Sequence, residues 1–503
     1  MPLVALLLVA LGFAGLQEKA ATPPAAPSIV LVTVDTLRRE HLGCYGYRRP
    51  TSPRVDELAR EAVVFDNAFA PMATTFPSHL TMFTGLYPHQ HGYTSNPSAM
   101  RRPFRSSAGC GTAAEALRAA GYRTAAFVSS VVLHERTGIG TGFDHFEGPS
   151  PEVGKFTARE TVDHALAWLA EQTADAPLFL WVHLWDVHEP NEPPAETAVL
   201  FRADDEQRAW VRARGIDAAA LAQRFHADTA TCERFFGWKP PVVEAEPPPG
   251  RGRTVAPSAR KRRSQAHGDA TIDEAAVLAL FDRYDACVRA VDGETGRLID
   301  ALKSAGRWER ASFVFTGDHG QSLGEGAALG HDRNTDLDTH VPLIVRLPSA
   351  TAQPGRRAEL VSLVDLMPTL LARLDEPALA AFRGQCEGQD VLGTAPAREA
   401  LLTAGSTELH GARAQLEVAL VTPRWKYLRH ANGPGELFDL AGAGEGVDVR
   451  ADNAEVATKL ASQLEAALAR RPARELVDAG ATDEATENLL RELEAMGYGG
   501  KDD

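Results

Sequence analysis

Residues 29–35 read Ile29-Val30-Leu31-Val32-Thr33-Val34-Asp35, five aliphatic side chains and one hydroxyl in unbroken succession, then a carboxylate. A run of this length without polar alternation suits a strand covered on both faces, as the strands of a parallel sheet are. Runs of the same character recur at 124–128, 178–184, 312–315 and 342–346. Helical patterns separate them. Ser52-Pro53 forms an N-cap and first-turn pair before Val55, Leu58, Ala59 and Ala62; 113–120 closes at Gly121; 162–172 and 275–302 are further amphipathic stretches. Strands and helices alternating this way predict an α/β domain built on a mixed, mostly parallel sheet flanked by helices.

Three of these strands deliver metal-type side chains at their ends: Asp35 after the first, Asp318 and His319 after 312–316, Asp186 and His188 after 178–184. In open α/β sheets the carboxyl ends of the strands share one edge, where ligands bind, so these distant residues are expected in one crevice. Carboxylates suit calcium, magnesium or manganese, and an imidazole moves the preference toward manganese or zinc. A single Asp after a strand is more often a helix cap; three such ends together point to a site. The segment Ala70-Pro71-Met72-Ala73-Thr74-Thr75-Phe76-Pro77-Ser78-His79 places hydroxyls just ahead of a short helix that stops at Gly85. Thr75 then stands at the positive end of that helix, where an alkoxide or anionic ester is stabilised, although an ordinary Thr cap reads the same way.

Composition narrows the setting. The 503-residue chain is 44% hydrophobic and 24% charged, within the globular range, and its net charge of −15 argues against nucleic-acid partners and general attraction to anionic lipid. A small anionic substrate therefore needs a local cation or a few placed basic groups. Residues 3–16 are apolar but short for a bilayer span, and 1–27 is expected to be a signal peptide with a Pro/Ala-rich linker, in a periplasmic or secreted protein; an uncleaved N-terminal anchor is the alternative. Five scattered cysteines form no C-x-x-C pair, and an exported location permits one or two disulfides.

A catalytic domain is expected over 28–398. It is interrupted at about 193–275 by an exposed insertion whose basic run includes Arg251, Arg253, Arg260, Lys261, Arg262 and Arg263. From 399 to 503 short strand-like runs at 418–421, 425–429 and 436–440 precede a helix with Val456, Leu460, Leu464 and Leu468 in register. These predict a smaller antiparallel sheet with one covering helix and a helical tail.

An ordered series of motifs resembles the sulfatases of the alkaline phosphatase superfamily. It comprises Leu42-Gly43-Cys44-Tyr45-Gly46-Tyr47, the run from Pro77-Ser78 through Thr84-Gly85-Leu86-Tyr87-Pro88 to His91-Gly92, Gly142-Phe143-Asp144, His188-x-Pro190 and Thr316-Gly317-Asp318-His319-Gly320. It continues with Leu323-Gly324-Glu325, Gly330-His331, Val341-Pro342-Leu343-Ile344-Val345, Asp365-x-x-Pro368-Thr369, Lys426-Tyr427 and Glu436-Leu437-Phe438-Asp439-Leu440, covering roughly 29–440. Met496-Gly497-Tyr498 is similar to the tails of bacterial members. The resemblance implies an alkaline-phosphatase-like fold and one divalent metal ion (calcium, manganese or zinc) held by Asp35, Asp318, His319 and Thr75. It puts Thr75 at the nucleophile position and His188 and His331 where the ester is contacted or its leaving group protonated.

Three positions depart from the family pattern. Sulfatases proper carry Cys or Ser at position 75, converted to formylglycine, and Thr75 excludes that conversion. His79 replaces the usual Arg, and Thr36 the second Asp of a pair. Relatives with a threonine nucleophile are typically phosphodiesterases or phosphoryl-group transferases. The expectation is thus an exported metal-dependent hydrolase of sulfate or phosphate esters, phosphodiesters favoured, acting on a small-molecule, glycan or lipid ester. An envelope phosphoryl-group transferase is one alternative, though no multiple membrane helices occur in the sequence. The other is a pseudoenzyme that binds sulfated or phosphorylated glycans.

Overall fold

The computed structural model describes residues 26–173, 175–225, 228–237, 272–348, 353–407 and 415–471, with 474, 487, 490 and 491 beyond. The expected signal segment, the basic run at 251–263 and the motif at 496–498 lie outside the described residues.

The fourteen strands of the described residues are β1 Ile29–Val34, β2 Val63–Phe69, β3 Arg123–Val128, β4 His145–Glu147, β5 Leu178–Leu184, β6 Ser312–Gly317, β7 Ser322–Leu323, β8 Leu329–Gly330, β9 His340–Arg346, β10 Gly355–Ser362, β11 Leu401–Thr407, β12 Gln415–Val421, β13 Trp425–Arg429 and β14 Glu436–Asp439. Eight of them form the main sheet in the order β10-β2-β9-β6-β1-β5-β3-β4. β9 alone runs against its neighbours; every other pairing in this sheet is parallel. All five apolar runs are strands. Two more, β2 and β10, escape a pattern reading because Asp66 and Asn67 interrupt the first and the second opens on exposed Gly355, Arg356 and Arg357.

Both faces of β1 are covered, as its composition requires. Val30, Val32 and Val34 join one core cluster with Val162, Phe281, Tyr284 and Val288; Ile29 and Leu31 join another with Phe76, Leu80, Phe83 and Leu117. The first face is closed by helices Ala158–Ala170 and Glu274–Ser304, the second by α2 (Thr75–Thr84) and Ala113–Ala119. The helix α1 (Pro53–Arg60) begins at the expected Ser52-Pro53, but Ser52 does not cap it. The Ser52 hydroxyl instead accepts from Gly43 N and donates to Asp56, while Asp292 of helix Glu274–Ser304 takes the N–H groups of Arg54 and Val55 at 2.9 and 2.8 Å.

The described part of the 193–275 region carries helices Asp205–Ala213, Ala218–Phe225 and Thr229–Phe236, which bury Val211, Leu221, Phe225 and Phe235 in the first core cluster; residues 238–271 of the region lie outside the described residues. The C-terminal strands β11-β12-β13-β14 make an antiparallel sheet covered by helix Ala454–Ala469 through Ala457, Leu460 and Leu464. Its edge strand clamps the chain ahead of α2, with Ala73 N donating to Ala404 O and Ala404 N to Pro71 O, both at 3.0 Å. Buried Lys426 reaches Asp336 and Glu445, tying this sheet to the loop that carries His331. All five cysteines are free thiols. Among the described residues no helix is long and apolar enough to cross a membrane.

Candidate active site

The site sits where β6, β1 and β5 end together. Val34 is in register with both Leu184 and Gly317, so Asp35 and Asp318 emerge side by side; Asp35 N donates to Leu184 O (2.9 Å) and Asp318 N to Val34 O (3.3 Å). Thr36 turns the chain away at φ 54°, a conformation rarely adopted by a β-branched residue, and in doing so aims its N–H at Asp318 Oδ1. β2 ends on the same edge because β9 reverses twice between it and β6, and the chain leaving Phe69 reaches Thr75, the first residue of α2. Ser78, one turn into α2, donates its hydroxyl to Asp318 O at 2.7 Å, fixing the helix start against the strand end.

Thr75 Oγ1 lies 3.3 Å from His319 Nε2 and 3.4 Å from Asp35 Oδ2. His319 Nδ1–H donates to Gly320 O at 2.9 Å, which leaves the Nε2 lone pair facing the hydroxyl. His319 Nε2 is 3.6 Å from Asp35 Oδ1 and 3.7 Å from Asp318 Oδ2. All four side chains are wholly buried, and Asp35 Oδ1 and Asp318 Oδ2 have no hydrogen-bond partner. Two carboxylates with orphaned oxygens in a water-poor place are unfavourable unless a cation joins them. Burial and the Asp35 charge push the Asp318 carboxyl well above the usual range, which expresses the same demand. The donor separations are those around one divalent ion, about 3.0–3.6 Å for bonds of roughly 2.0–2.2 Å. Asp35, Asp318 and His319 therefore fit a metal, with Thr75 in reach of it.

His79 is wholly buried, with its Nδ1 3.6 Å from Asp318 Oδ2. Its Nδ1–H donates to Thr75 O at 2.8 Å, one turn earlier in α2, and its Nε2 accepts from Thr33 Oγ1 at 2.9 Å, the hydroxyl that also accepts from Trp181 Nε1. It holds the backbone of Thr75. His188 and His331 meet at the rim, Nε2 to Nε2 at 3.2 Å. His188 Nδ1–H donates to Glu189 O at 2.6 Å, and its ring stacks on Trp185. His331 Nδ1–H donates to Asp332 Oδ1 at 2.9 Å, and Thr74 Oγ1 donates to the same oxygen. Burial lowers His188 to about 3, whereas the Asp332 carboxylate overrides burial at His331 and raises it to about 10. One proton is thus held on His331 and shared toward His188. The rings of His331 and His319 are 4.6 Å apart, which places this pair beside Thr75.

Asp186 lies elsewhere. Its carboxylate accepts from Ala158 N at 2.7 Å and caps helix Ala158–Ala170, the bland role open to any Asp after a strand. The other predicted residues, Asp35, Thr75, His79, His188, Asp318, His319 and His331, are gathered at one strand edge. The structure adds His183, buried inside β5 with its Nε2 3.4 Å from Asp35 Oδ2, and Asp332 and Glu189 behind the rim histidines. A histidine within the otherwise apolar Leu178-Phe179-Leu180-Trp181-Val182-His183-Leu184 is a legible signal; Asp332 and Glu189 carry none.

Residues 27–376 match the sequence profile described as Sulfatase. The chain is 25% identical over 411 residues to the N-acetylglucosamine-6-O-sulfatase of Bacteroides thetaiotaomicron, spanning 72% of this chain and 70% of that one. To the iduronate 2-sulfatase of Homo sapiens it is 26% identical over 434 residues, spanning 72% of each. In structure it is similar to the phosphonate monoester hydrolase of Agrobacterium radiobacter, with TM-score 0.64 at 21% identity over 88% of this chain and 96% of that one, a likeness of fold.

Proposed function

This chain belongs to the sulfatase family of ester hydrolases, and from that premise we propose that it is an exported, metal-dependent hydrolase that opens phosphate or sulfate esters with the Thr75 hydroxyl, phosphodiesters preferred. The observation that carries the reading is the Thr75 hydroxyl itself, at the start of α2 and 3.3–3.4 Å from His319 Nε2 and Asp35 Oδ2. Export is supported by the apolar 3–16 run and the Pro/Ala-rich linker after it. The sulfatase relatives support a sulfated small molecule or glycan as substrate.

Asp35, Asp318 and His319 would hold the cation, with Thr75 as a further ligand. When bound, it supplies charge neutralisation at a non-bridging ester oxygen and lowers the pKa of the Thr75 hydroxyl. Thr75 directs its proton at Asp35 Oδ2. As Oγ1 attacks phosphorus in line its proton passes to Asp35 Oδ2, the bond to the leaving oxygen breaks, and that oxygen takes the proton from His331 Nε2. The product is an ester of Thr75; water then attacks phosphorus and gives its proton to His331, while the departing Thr75 Oγ1 takes back the proton from Asp35. A sulfate ester of Thr75 would lack the neighbouring hydroxyl by which a formylglycine hydrate expels sulfate, and this favours phosphorus. Arg234 of helix Thr229–Phe236 stands 3.8 Å from Glu189 Oε1, bringing a guanidinium from the 193–237 region to the rim.

The test compares turnover of nitrophenyl sulfate, nitrophenyl phosphate and bis(nitrophenyl) phosphate by purified protein with divalent metal, beside the Thr75→Ala variant. The diester is expected to turn over fastest, and Thr75→Ala to lose activity by roughly a thousandfold or more. Sulfate release as the fastest reaction would overturn the diester preference; an active Thr75→Ala would remove Thr75 as nucleophile.

A further inference from the structure

The His183 side chain has no role in the scheme above, yet its surroundings demand one. It projects from β5, opposite Thr33 of β1, and is wholly buried. Neither ring nitrogen has a hydrogen-bond partner. A buried imidazole left this way is unfavourable, and an apolar residue would suit the same strand better. Nε2 is 3.4 Å from Asp35 Oδ2, and a ring nitrogen lies within 4.8 Å of an Asp318 carboxylate oxygen and of a His79 ring nitrogen. The rings of His79 and Trp181 also pack edge-on against it. The His79 nitrogens are already engaged by Thr75 O and Thr33 Oγ1, so they offer His183 no acceptor.

We propose that His183 is a further protein ligand of the cation held by Asp35, Asp318 and His319, binding through Nε2. Two imidazoles beside two carboxylates and a hydroxyl form a donor set for manganese or zinc, whereas calcium is served by oxygen alone. His183 therefore sets the metal preference of the site. A residue acting only through Asp35 would hold the carboxylate in place for any ion, so its loss would weaken all metals alike; a ligand's loss changes the order among them.

This proposal rests on the metal-site reading, and one experiment separates the two. Untagged full-length protein is stripped with chelator and titrated calorimetrically with zinc, manganese and calcium, beside His183→Gln and His183→Asn. Cobalt(II) spectra of all three proteins are recorded as a readout independent of turnover. The wild type is expected to prefer zinc and manganese. The variants should lose about tenfold or more in zinc affinity while calcium affinity changes by less than about threefold, and the cobalt visible band should shift. Equal losses for all three metals, or unchanged affinities, would overturn the role of His183 as a ligand while leaving the metal site intact. A wild type that binds none of the ions would remove the metal reading itself. Circular dichroism identifies a variant that fails to fold, and the other substitution then decides.

Discussion

His79 Nδ1 lies 2.8 Å from the main-chain carbonyl oxygen of Thr75, which can only accept, so Nδ1 carries the proton. Nε2 is then the acceptor for the Thr33 hydroxyl, whose oxygen accepts from Trp181 Nε1–H. The first turn of α2 is thereby held in the orientation that presents the Thr75 hydroxyl. Steady-state kinetics of His79→Ala should show kcat reduced by about 10- to 100-fold with KM within about threefold, since placement is lost rather than substrate contact. A large KM effect at constant kcat would instead put His79 in contact with the ester.

Removal of the metal should silence the enzyme. Wild-type protein treated with chelator is expected to lose more than about 99% of its turnover and to recover on return of a divalent ion. Asp318→Asn, which removes one of the two orphaned carboxylate charges, should stay inactive at metal concentrations that restore the wild type. Full activity of the chelated enzyme would contradict the arrangement of Asp35, Asp318 and His319.

The His331 proton matters most for leaving groups that depart poorly. His331→Gln is expected to reduce cleavage of alkyl esters by roughly 10²- to 10⁴-fold and of nitrophenyl esters by much less, since nitrophenolate needs little protonation. A series of esters graded by leaving-group pKa reads this as a steeper dependence in the variant. Parallel lines for the two proteins would assign the proton to another group.

The cap on α1 makes a pH signature. Burial raises the Asp292 carboxyl to about 6 although it accepts from Arg54 N and Val55 N. A carboxyl whose folded value exceeds its unfolded value of about 3.9 binds its proton more tightly in the native state. Its contribution is fully present below about pH 4 and is lost as pH climbs through 6. The stability difference between wild type and Asp292→Asn should therefore move against the wild type by on the order of 2 kcal/mol between pH 4 and pH 7, read from denaturant or thermal unfolding of both proteins. A difference independent of pH would show that Asp292 titrates normally.

Much of this site was legible before folding. Asp35, Asp318 and His319 each follow an apolar run, and a strand that ends in a ligand-type residue advertises itself. Thr75, followed by Pro77 and by Gly85 at the helix end, marks a helix start in the same way. His79 was legible as a site residue but not in its role, because only the meeting of β1, β5 and α2 shows that it grips the Thr75 carbonyl. Asp186 misled for the converse reason: its spacing after β5 imitates that of a ligand, while Ala158 N, remote in sequence, claims its carboxylate. Ser52 likewise has the identity of a cap but surrenders the position to Asp292, 240 residues on.

The sequence by itself determined the strand and helix alternation, the family and the chemical types at the strand ends, since these follow from side-chain periodicity and local motifs. The tertiary structure alone decided which of those groups touch. Strand register set Asp35 beside Asp318; the reversal at β9 carried Thr75 to the same edge; and the clamp of β11 on Pro71–Ala73 placed the loop of His331 over them. Contacts between residues tens to hundreds of positions apart depend on how sheets pair and how surfaces fit, and hydrophobic periodicity along the chain carries no information about that pairing.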